Sequence, residues 1–158
     1  MTADIPKRER GKPSTLKAIG GKVAEVSSFH PGHEPDNMLD GDPATFWHTR
    51  FTPAFAEPPH FVVLQVPVNQ PIAGLAYTPR TKPNGRVLSY AVSVSNDGRT
   101  WSNPVTRGKL RANATVRNEI KFKEPTGRRF IKLTVTDAVS AGGQPIAAIG
   151  ELDVLTNQ

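Results

Sequence analysis

The sequence predicts an all-β fold, an antiparallel β-sandwich or barrel built around a single core. Apolar residues come in short runs, turn residues separate these runs, and no segment keeps a helical period for longer than a turn or two. The chain has fifteen Pro and thirteen Gly among 158 residues, and both residue types favour turns over long helices. That length suits one domain of ordinary size.

The predicted strands follow one another along most of the chain. The first is the apolar run at 23–26, and residues 36–39 have the composition of a single helical turn. Polar and apolar residues alternate in 89–95, as expected for a half-buried strand, and Asn96-Asp97-Gly98 supplies the turn after it. The other predicted strands are 60–66, 72–77, 116–122, 130–135 and 152–155.

The most informative segment is 40–49, with the sequence DGDPATFWHT. Its first half places oxygen ligands close together around a glycine and a proline, which suits a hard cation such as calcium. The same residues are also good turn formers. The loop is not an EF-hand, because Phe51 stands where the twelfth-position Glu would be. A calcium cage would need a further ligand, and Glu151 near the C-terminus is the candidate.

Several motifs in this order resemble coagulation-factor type C, or discoidin-like, domains. Within that group the chain is most similar to the family 32 carbohydrate-binding modules of bacterial sialidases and of the N-terminal domain of galactose oxidase. The resemblance runs over residues 22–155. The matching segments are 38–42, 46–49, 58–60, 79–80, 90–98 with Trp101, 129–133 and 150–152.

The resemblance implies a galactose-binding-domain-like jelly roll with a structural calcium ion. The implied ligands are four side chains and two backbone carbonyl groups. The side chains are those of Asp40, Asp42, Thr45 and Glu151, and the carbonyl groups are those of Asn37 and Gly150.

The resemblance also implies a sugar site on the loops beside the calcium loop. There His48 and Arg80 would contact sugar hydroxyl groups and Phe51 would stack on the sugar. Polar contacts would come from Arg50, Asn84 and Glu34.

Each of these residues also has an ordinary structural interpretation. His48 could be buried and bonded to backbone, Arg80 could pair with an acid, and Phe51 could belong to the core. The same core role is expected for Trp47 and Trp101, because large aromatic residues dominate sandwich cores.

Two departures from the family pattern weaken the expectation of galactose specificity. The loop at 144–147 lacks an aromatic residue that several relatives carry there. Arg86 stands near the position where a carboxylate helps some galactose binders. Neither departure changes the expected fold.

The charge of the chain favours an acidic ligand or a solvated basic surface. The formal net charge is +6 and the isoelectric point is about 9.9. Basic residues cluster at 80–86 and 107–111, where an anionic glycan would be attracted. We expect no nucleic-acid partner, because exposed aromatic residues do not interleave with the basic ones. Membrane binding through an apolar loop at 51–55 is not favoured either.

No catalytic constellation emerges from the sequence. There is no cysteine, no Gly-x-Ser-x-Gly elbow and no phosphate-binding loop. The expected function is that of a non-catalytic carbohydrate-binding module, at a galactose-type or anionic glycan, attached to the catalytic domain of a glycan-active enzyme. The alternative is a docking module without sugar binding. In either case we expect a secreted or cell-surface location.

The domain boundary is expected near Gly21. Residues 1–21 are polar and basic, without the apolar core of a secretion signal. We therefore expect them to be a linker or an added tail, with the module at 22–158.

Overall fold

A computed structural model of the chain describes residues 14–111, 113 and 115–156. Strands dominate it, together with one short α-helix, α1 (Thr15–Ala18), and one 3-10 helix (Pro35–Leu39). The strands are β1 (Lys22–Val26), β2 (Trp47–His48), β3 (His60–Gln65), β4 (Ile72–Thr78), β5 (Val87–Ser95), β6 (Thr106–Lys109), β7 (Asn118–Thr126), β8 (Phe130–Ala138), β9 (Ala148–Ile149) and β10 (Glu151–Thr156).

The strands form an antiparallel sandwich, as the sequence predicts. One sheet has the order β1-β3-β8-β5-β6, the second has β10-β4-β7, and β2 pairs with β9 at one end. Every pairing between these strands is antiparallel. None of the helices in the described part of the chain is long and apolar enough to cross a membrane.

The core lies between the two large sheets and follows from the period-two alternation of the strands. In the five-stranded sheet, Leu133 pairs with Val62 on one side and with Val92 on the other, so the three side chains form one buried row. Leu75 and Leu152 are fully buried in the second sheet. Each such side chain stabilises the fold by roughly 1.5–3 kcal/mol.

The two tryptophans differ in their environments. Trp47 is fully buried in the core, as expected. Trp101 is only half-buried, and the Nζ of Lys132 lies 4.4 Å from the centre of its ring. The expectation that Trp101 is a core residue is therefore wrong. The turn after β5 carries it to the partly solvated surface beside β8.

The folded part of the chain begins before the boundary expected at Gly21. Leu16, on α1, is fully buried. The carboxylate of Asp153 accepts hydrogen bonds from the backbone N–H groups of Thr15 and Leu16, at 2.9 and 2.8 Å. Ser14 caps the helix by accepting from the N–H of Lys17. Residues 14–21 thus belong to the domain. The buried side chain of Leu16 and the hydrogen bonds to Asp153 attach this segment to the second sheet. Residues 1–13 of the expected linker lie outside the described residues.

Candidate functional site

The short strand β2 carries the centre of the candidate site. The backbone N–H of His48 donates to the carbonyl of His33 at 3.4 Å, and the His48 carbonyl accepts from the N–H of His30 at 3.0 Å. On its other side β2 pairs with β9. The buried indole of Trp47 donates to the carbonyl of Ser28 at 2.9 Å. These contacts hold His48 on a rigid support.

The imidazole of His48 is set up as a hydrogen-bond acceptor. Its Nδ1 lies 2.6 Å from the carbonyl oxygen of Thr49. Because a carbonyl oxygen only accepts, Nδ1 carries the proton and Nε2 is the acceptor of the neutral ring. Nε2 has no hydrogen-bond partner among the described residues. Burial lowers the pKa of His48, and the nearby Arg80 lowers it further, which keeps the ring neutral at pH 7.

Around His48 lies a compact group of rings, which we call the histidine–phenylalanine cluster; it consists of His30, His33, Phe46, His48 and Phe51. His30 stacks on Phe51 with ring centroids 3.6 Å apart, and His33 stacks on Phe46 at 4.5 Å. His48 meets the edge of Phe51 at 4.9 Å. Phe51 is thus half-buried against histidines rather than in the sandwich core.

The guanidinium of Arg80 covers the Phe46 ring, with Cζ 3.9 Å from the ring centroid. Its Nη1 donates to the carbonyl of Asn84 at 3.3 Å. The buried Arg86 supports this loop, since its Nε donates to the Arg80 carbonyl and its Nη2 to the Thr81 carbonyl. Burial and the charge of Arg86 lower the pKa of Arg80.

Among the described residues, no carboxylate forms an ion pair with Arg80. Both ion pairs found in the described residues are made by Glu119, with Arg117 and with Lys121. The interpretation of Arg80 as the partner of a nearby acid is therefore wrong. Its guanidinium packs instead on the ring of Phe46.

The remaining expected sugar contacts are placed less directly. Glu34 is exposed, and its carboxylate accepts from the N–H of Gly32 at 2.7 Å, beside His33. Asn84 contributes its backbone carbonyl to Arg80. The Nε of Arg50 donates to the carbonyl of Ala54 within its own loop, at 3.4 Å. The structure thus brings together His48, Phe51 and Arg80, with Glu34 and Asn84 next to them and Arg50 turned to its own loop.

Sequence reasoning missed three members of the histidine–phenylalanine cluster: His30, His33 and Phe46. The His-Pro-Gly-His spacing was visible, but the contacts of these residues with β2 are long-range and leave no pattern in the sequence. Phe46 flanks the inward-facing Trp47 and therefore shares the outer face with His48, but a strand of two residues shows no alternation from which to predict this.

Beside this cluster, the loop at 40–45 meets the start of β10. The carboxylate of Glu151 accepts from the N–H of Gly41 at 2.9 Å and lies against the carboxylate of Asp40. Thr45 donates its hydroxyl to Asp40. The carboxylate of Asp42 instead accepts from the N–H of Ala44 at 3.0 Å.

Asp40 and Glu151 fit a hard cation, because one buried carboxylate oxygen lacks a partner among the described residues. Glu151 Oε2 is buried and has no hydrogen-bond partner, and burial together with Asp40 raises the pKa of Glu151 to about 9. A cation would take up that oxygen and remove the repulsion between the two carboxylates. Two carboxylates converge here, and the described residues contain no group of three or more His, Cys, Asp or Glu side chains arranged around a metal position.

The chain matches known proteins over most of its length. The family model of the F5/8 type C domain matches residues 22–152. A galactose oxidase of Gibberella zeae is 31% identical over 130 residues, which cover 80% of this chain and 18% of that protein. A sialidase of Micromonospora viridifaciens is 31% identical over 137 residues, covering 84% of this chain and 21% of the sialidase.

A solved structure extends the likeness to three dimensions. It is a CBM32 module from Clostridium perfringens in complex with GalNAc-β-1,3-galactose, with a TM-score of 0.72, 28% identity, and coverage of 85% of this chain and 94% of that one. With its match over 22–152 and its antiparallel sandwich, the chain belongs to the F5/8 type C domain family.

Proposed function

We propose that the chain is a carbohydrate-binding module without catalysis of its own. Its sugar site is formed by His48, Arg80 and Phe51, and it serves a larger, secreted or cell-surface glycan-active protein. The chain spans only 18% and 21% of the two enzymes that it matches, which supports a role as one module within a longer protein. Such a module raises the local concentration of its partner domain at a polymer.

The observation that carries this proposal is the acceptor atom of His48. Among the described residues Nε2 of this fixed ring has no hydrogen-bond partner, the cationic Arg80 is close enough to lower the pKa of His48, and the Phe51 ring lies 4.9 Å from the His48 ring. A sugar needs this combination, because its hydroxyl groups donate and accept while its C–H face packs on a ring. The relative that binds GalNAc-β-1,3-galactose makes a galactose-type ligand the first probe.

Calcium belongs to this proposal as a structural ion. Asp40, Thr45 and Glu151 would hold it through side-chain oxygens, with Asp42 and the carbonyl groups of Asn37 and Gly150 completing the expected set. The ion would fix the 40–45 loop on β10, and so stabilise β2, which follows that loop directly. It would not touch the sugar.

Binding of GalNAc-β-1,3-galactose and of galactose, measured by calorimetry and by NMR titration in calcium buffer, tests the proposal. We expect saturable binding to the wild-type protein. His48→Ala removes the acceptor and Arg80→Ala removes the donor. Each variant should weaken binding about tenfold or more, since a lost hydrogen bond to a charged or buried partner costs roughly 1.5–3 kcal/mol.

Arg107→Ala is the matched control. Arg107 is an exposed arginine on β6, at the edge of the five-stranded sheet, and its loss should leave the affinity unchanged. A folded protein that binds no sugar on a broad glycan array would overturn the proposal and favour the docking module.

Membrane attachment has less support. Phe51 is stacked on His30, and Phe55 is half-buried. The 51–55 loop therefore presents no projecting pair of apolar side chains of the kind that membrane insertion needs.

A further inference from the structure

The guanidinium of Arg80 has one edge without an internal acceptor. Nη1 is used by the Asn84 carbonyl, whereas Nε is buried without a partner and Nη2 makes no hydrogen bond within the described residues. Because Nε is sealed from solvent whereas Nη2 is not among the buried atoms, Nη2 is the atom of this edge that an external acid group would meet. A hydrogen bond from a guanidinium to an acid group is charge-assisted and stronger than one to a neutral hydroxyl group.

The charges around this edge are mostly positive. Arg86 is close enough to lower the pKa of Arg80, and the exposed Lys82 lies in the same loop. On the other side of Phe46 are His33 and His48, whose pKa values both respond to the charge of Arg80. The acid facing this group is Glu34, which is exposed and already accepts from Gly32.

A neutral sugar would bury Arg80 without balancing its charge, whereas an acidic sugar would balance it. Burying a charge without a counter-charge is costly, and a charge-assisted pair is stronger than a neutral hydrogen bond. The guanidinium covers Phe46 and His30 covers one face of Phe51, so the stacking surface of the site is left to the other face of Phe51. The arrangement suits a ring that packs on Phe51 and carries an acid group toward Arg80.

We infer that the ligand of this site is a sugar with an acid group, a carboxylate or a sulfate, which Nη2 and the charge of Arg80 select over the neutral sugar. This inference rests on the proposed function and deepens it. Arg80 is then the residue that sets specificity, and His48 and Phe51 bind the sugar ring common to acidic and neutral ligands.

The test compares sugars that differ only in charge. Methyl galactosiduronic acid, its methyl ester, methyl galactoside and methyl galactoside 6-sulfate are titrated separately into the full chain in calcium buffer, with NMR detection. We expect at least one acidic sugar to bind roughly tenfold more tightly than the ester and the galactoside. The uronic acid and the sulfate are separate arms, so their ranking identifies the acid group. Only the acidic sugars should lose affinity between 50 and 500 mM NaCl, because salt screens the charge.

Two substitutions separate specificity from folding. Arg80→Gln should weaken binding of the acidic sugar about tenfold more than binding of the neutral sugar, so that the preference for the acid is lost. Arg80→Lys should keep part of the preference, since the charge remains while the position of Nη2 is lost. Arg128→Gln, at an exposed position between β7 and β8, is the control for net charge and should change neither affinity. The NMR spectrum of each variant reports whether the fold is intact.

The outcomes are distinguishable. This inference would be overturned if the neutral galactoside bound as tightly as both acidic sugars and no affinity depended on salt. The proposed function would then remain intact. Binding of none of the four sugars would remove the proposed function and the inference together. A preference for acid that persists in Arg80→Gln would show that another residue selects the charge, and would likewise overturn the assignment to Arg80.

Discussion

Glu151 is the residue whose ionisation would decide whether the 40–45 loop holds the proposed calcium ion. Its pKa is raised from 4.5 to about 9 by burial and by Asp40. The folded, metal-free protein therefore binds more protons than the unfolded chain between these two values, and its stability falls as pH rises through that window. Calcium displaces the proton, so it should stabilise the fold more at pH 8 than at pH 5.

Thermal unfolding with calcium or chelator at several pH values measures this effect. Glu151→Gln should flatten the pH dependence of the metal-free protein and abolish stabilisation by calcium. Glu124→Gln, at an exposed acid on β7, is the control and should leave both unchanged. A melting temperature that responds equally to calcium at pH 5 and pH 8 would contradict the assignment of Glu151 as a ligand.

Individual site residues were predictable where a local motif or a family resemblance marked them. The 40–45 loop and Glu151 are 110 positions apart at their Gly41 contact, and they were joined by the need for a further calcium ligand and by the resemblance. Arg80 was named as a candidate site residue, but its contact with Phe46 was not predicted, because a ring contact across loops leaves no periodic signal. The carboxylate of Asp42 turns to Ala44, which turn chemistry also favours.

At the scale of elements, the loop between β4 and β5 is held against β9 by Gly85. The N–H of Gly85 donates to Val139, and its carbonyl accepts from Ala148. Its φ is +85°, and an added Cβ would lie 2.8 Å from the Cβ of Ala148 and 2.9 Å from the Ala148 nitrogen. Only glycine satisfies both constraints without moving the neighbouring strand.

Gly85→Ala should therefore disturb the loop and β9 together. We expect a loss of about 1–3 kcal/mol in the free energy of unfolding, and weaker sugar binding, because the loop carries Arg80 and β9 supports His48. Urea unfolding and NMR titration measure the two effects. Gly127→Ala is the control, since an added Cβ there meets nothing within 4 Å. Unchanged sugar affinity in a destabilised Gly85→Ala protein would contradict the coupling.

The long strands were predictable from alternation alone, whereas the strands that build the site were not. β3, β4 and β8 carry clear apolar patterns, and the sequence places them within a few residues. β2 and β9 have two residues each, too few for any periodicity to be visible. They exist because the neighbouring loops and Trp47 position them.

For the whole molecule, the folded unit includes residues 14–21, which precede the boundary expected near Gly21. A chain of residues 21–156 should be less stable than one of residues 14–156, because it lacks Leu16 and leaves the Asp153 carboxylate without its helix. In the full chain, Leu16→Ala alone should cost roughly 2–5 kcal/mol, as measured by urea unfolding. Lys17→Ala, at an exposed position on α1, is the control. Equal stability of the two truncated chains would return the boundary to Gly21.

Strand β10 runs from the proposed sugar site to the far side of the sandwich. Glu151, at its start, contacts the 40–45 loop, and its last residue, Thr156, is about 17 Å further along the strand. We therefore expect a carrier protein fused after residue 156 to leave the proposed sugar site accessible to a polymer.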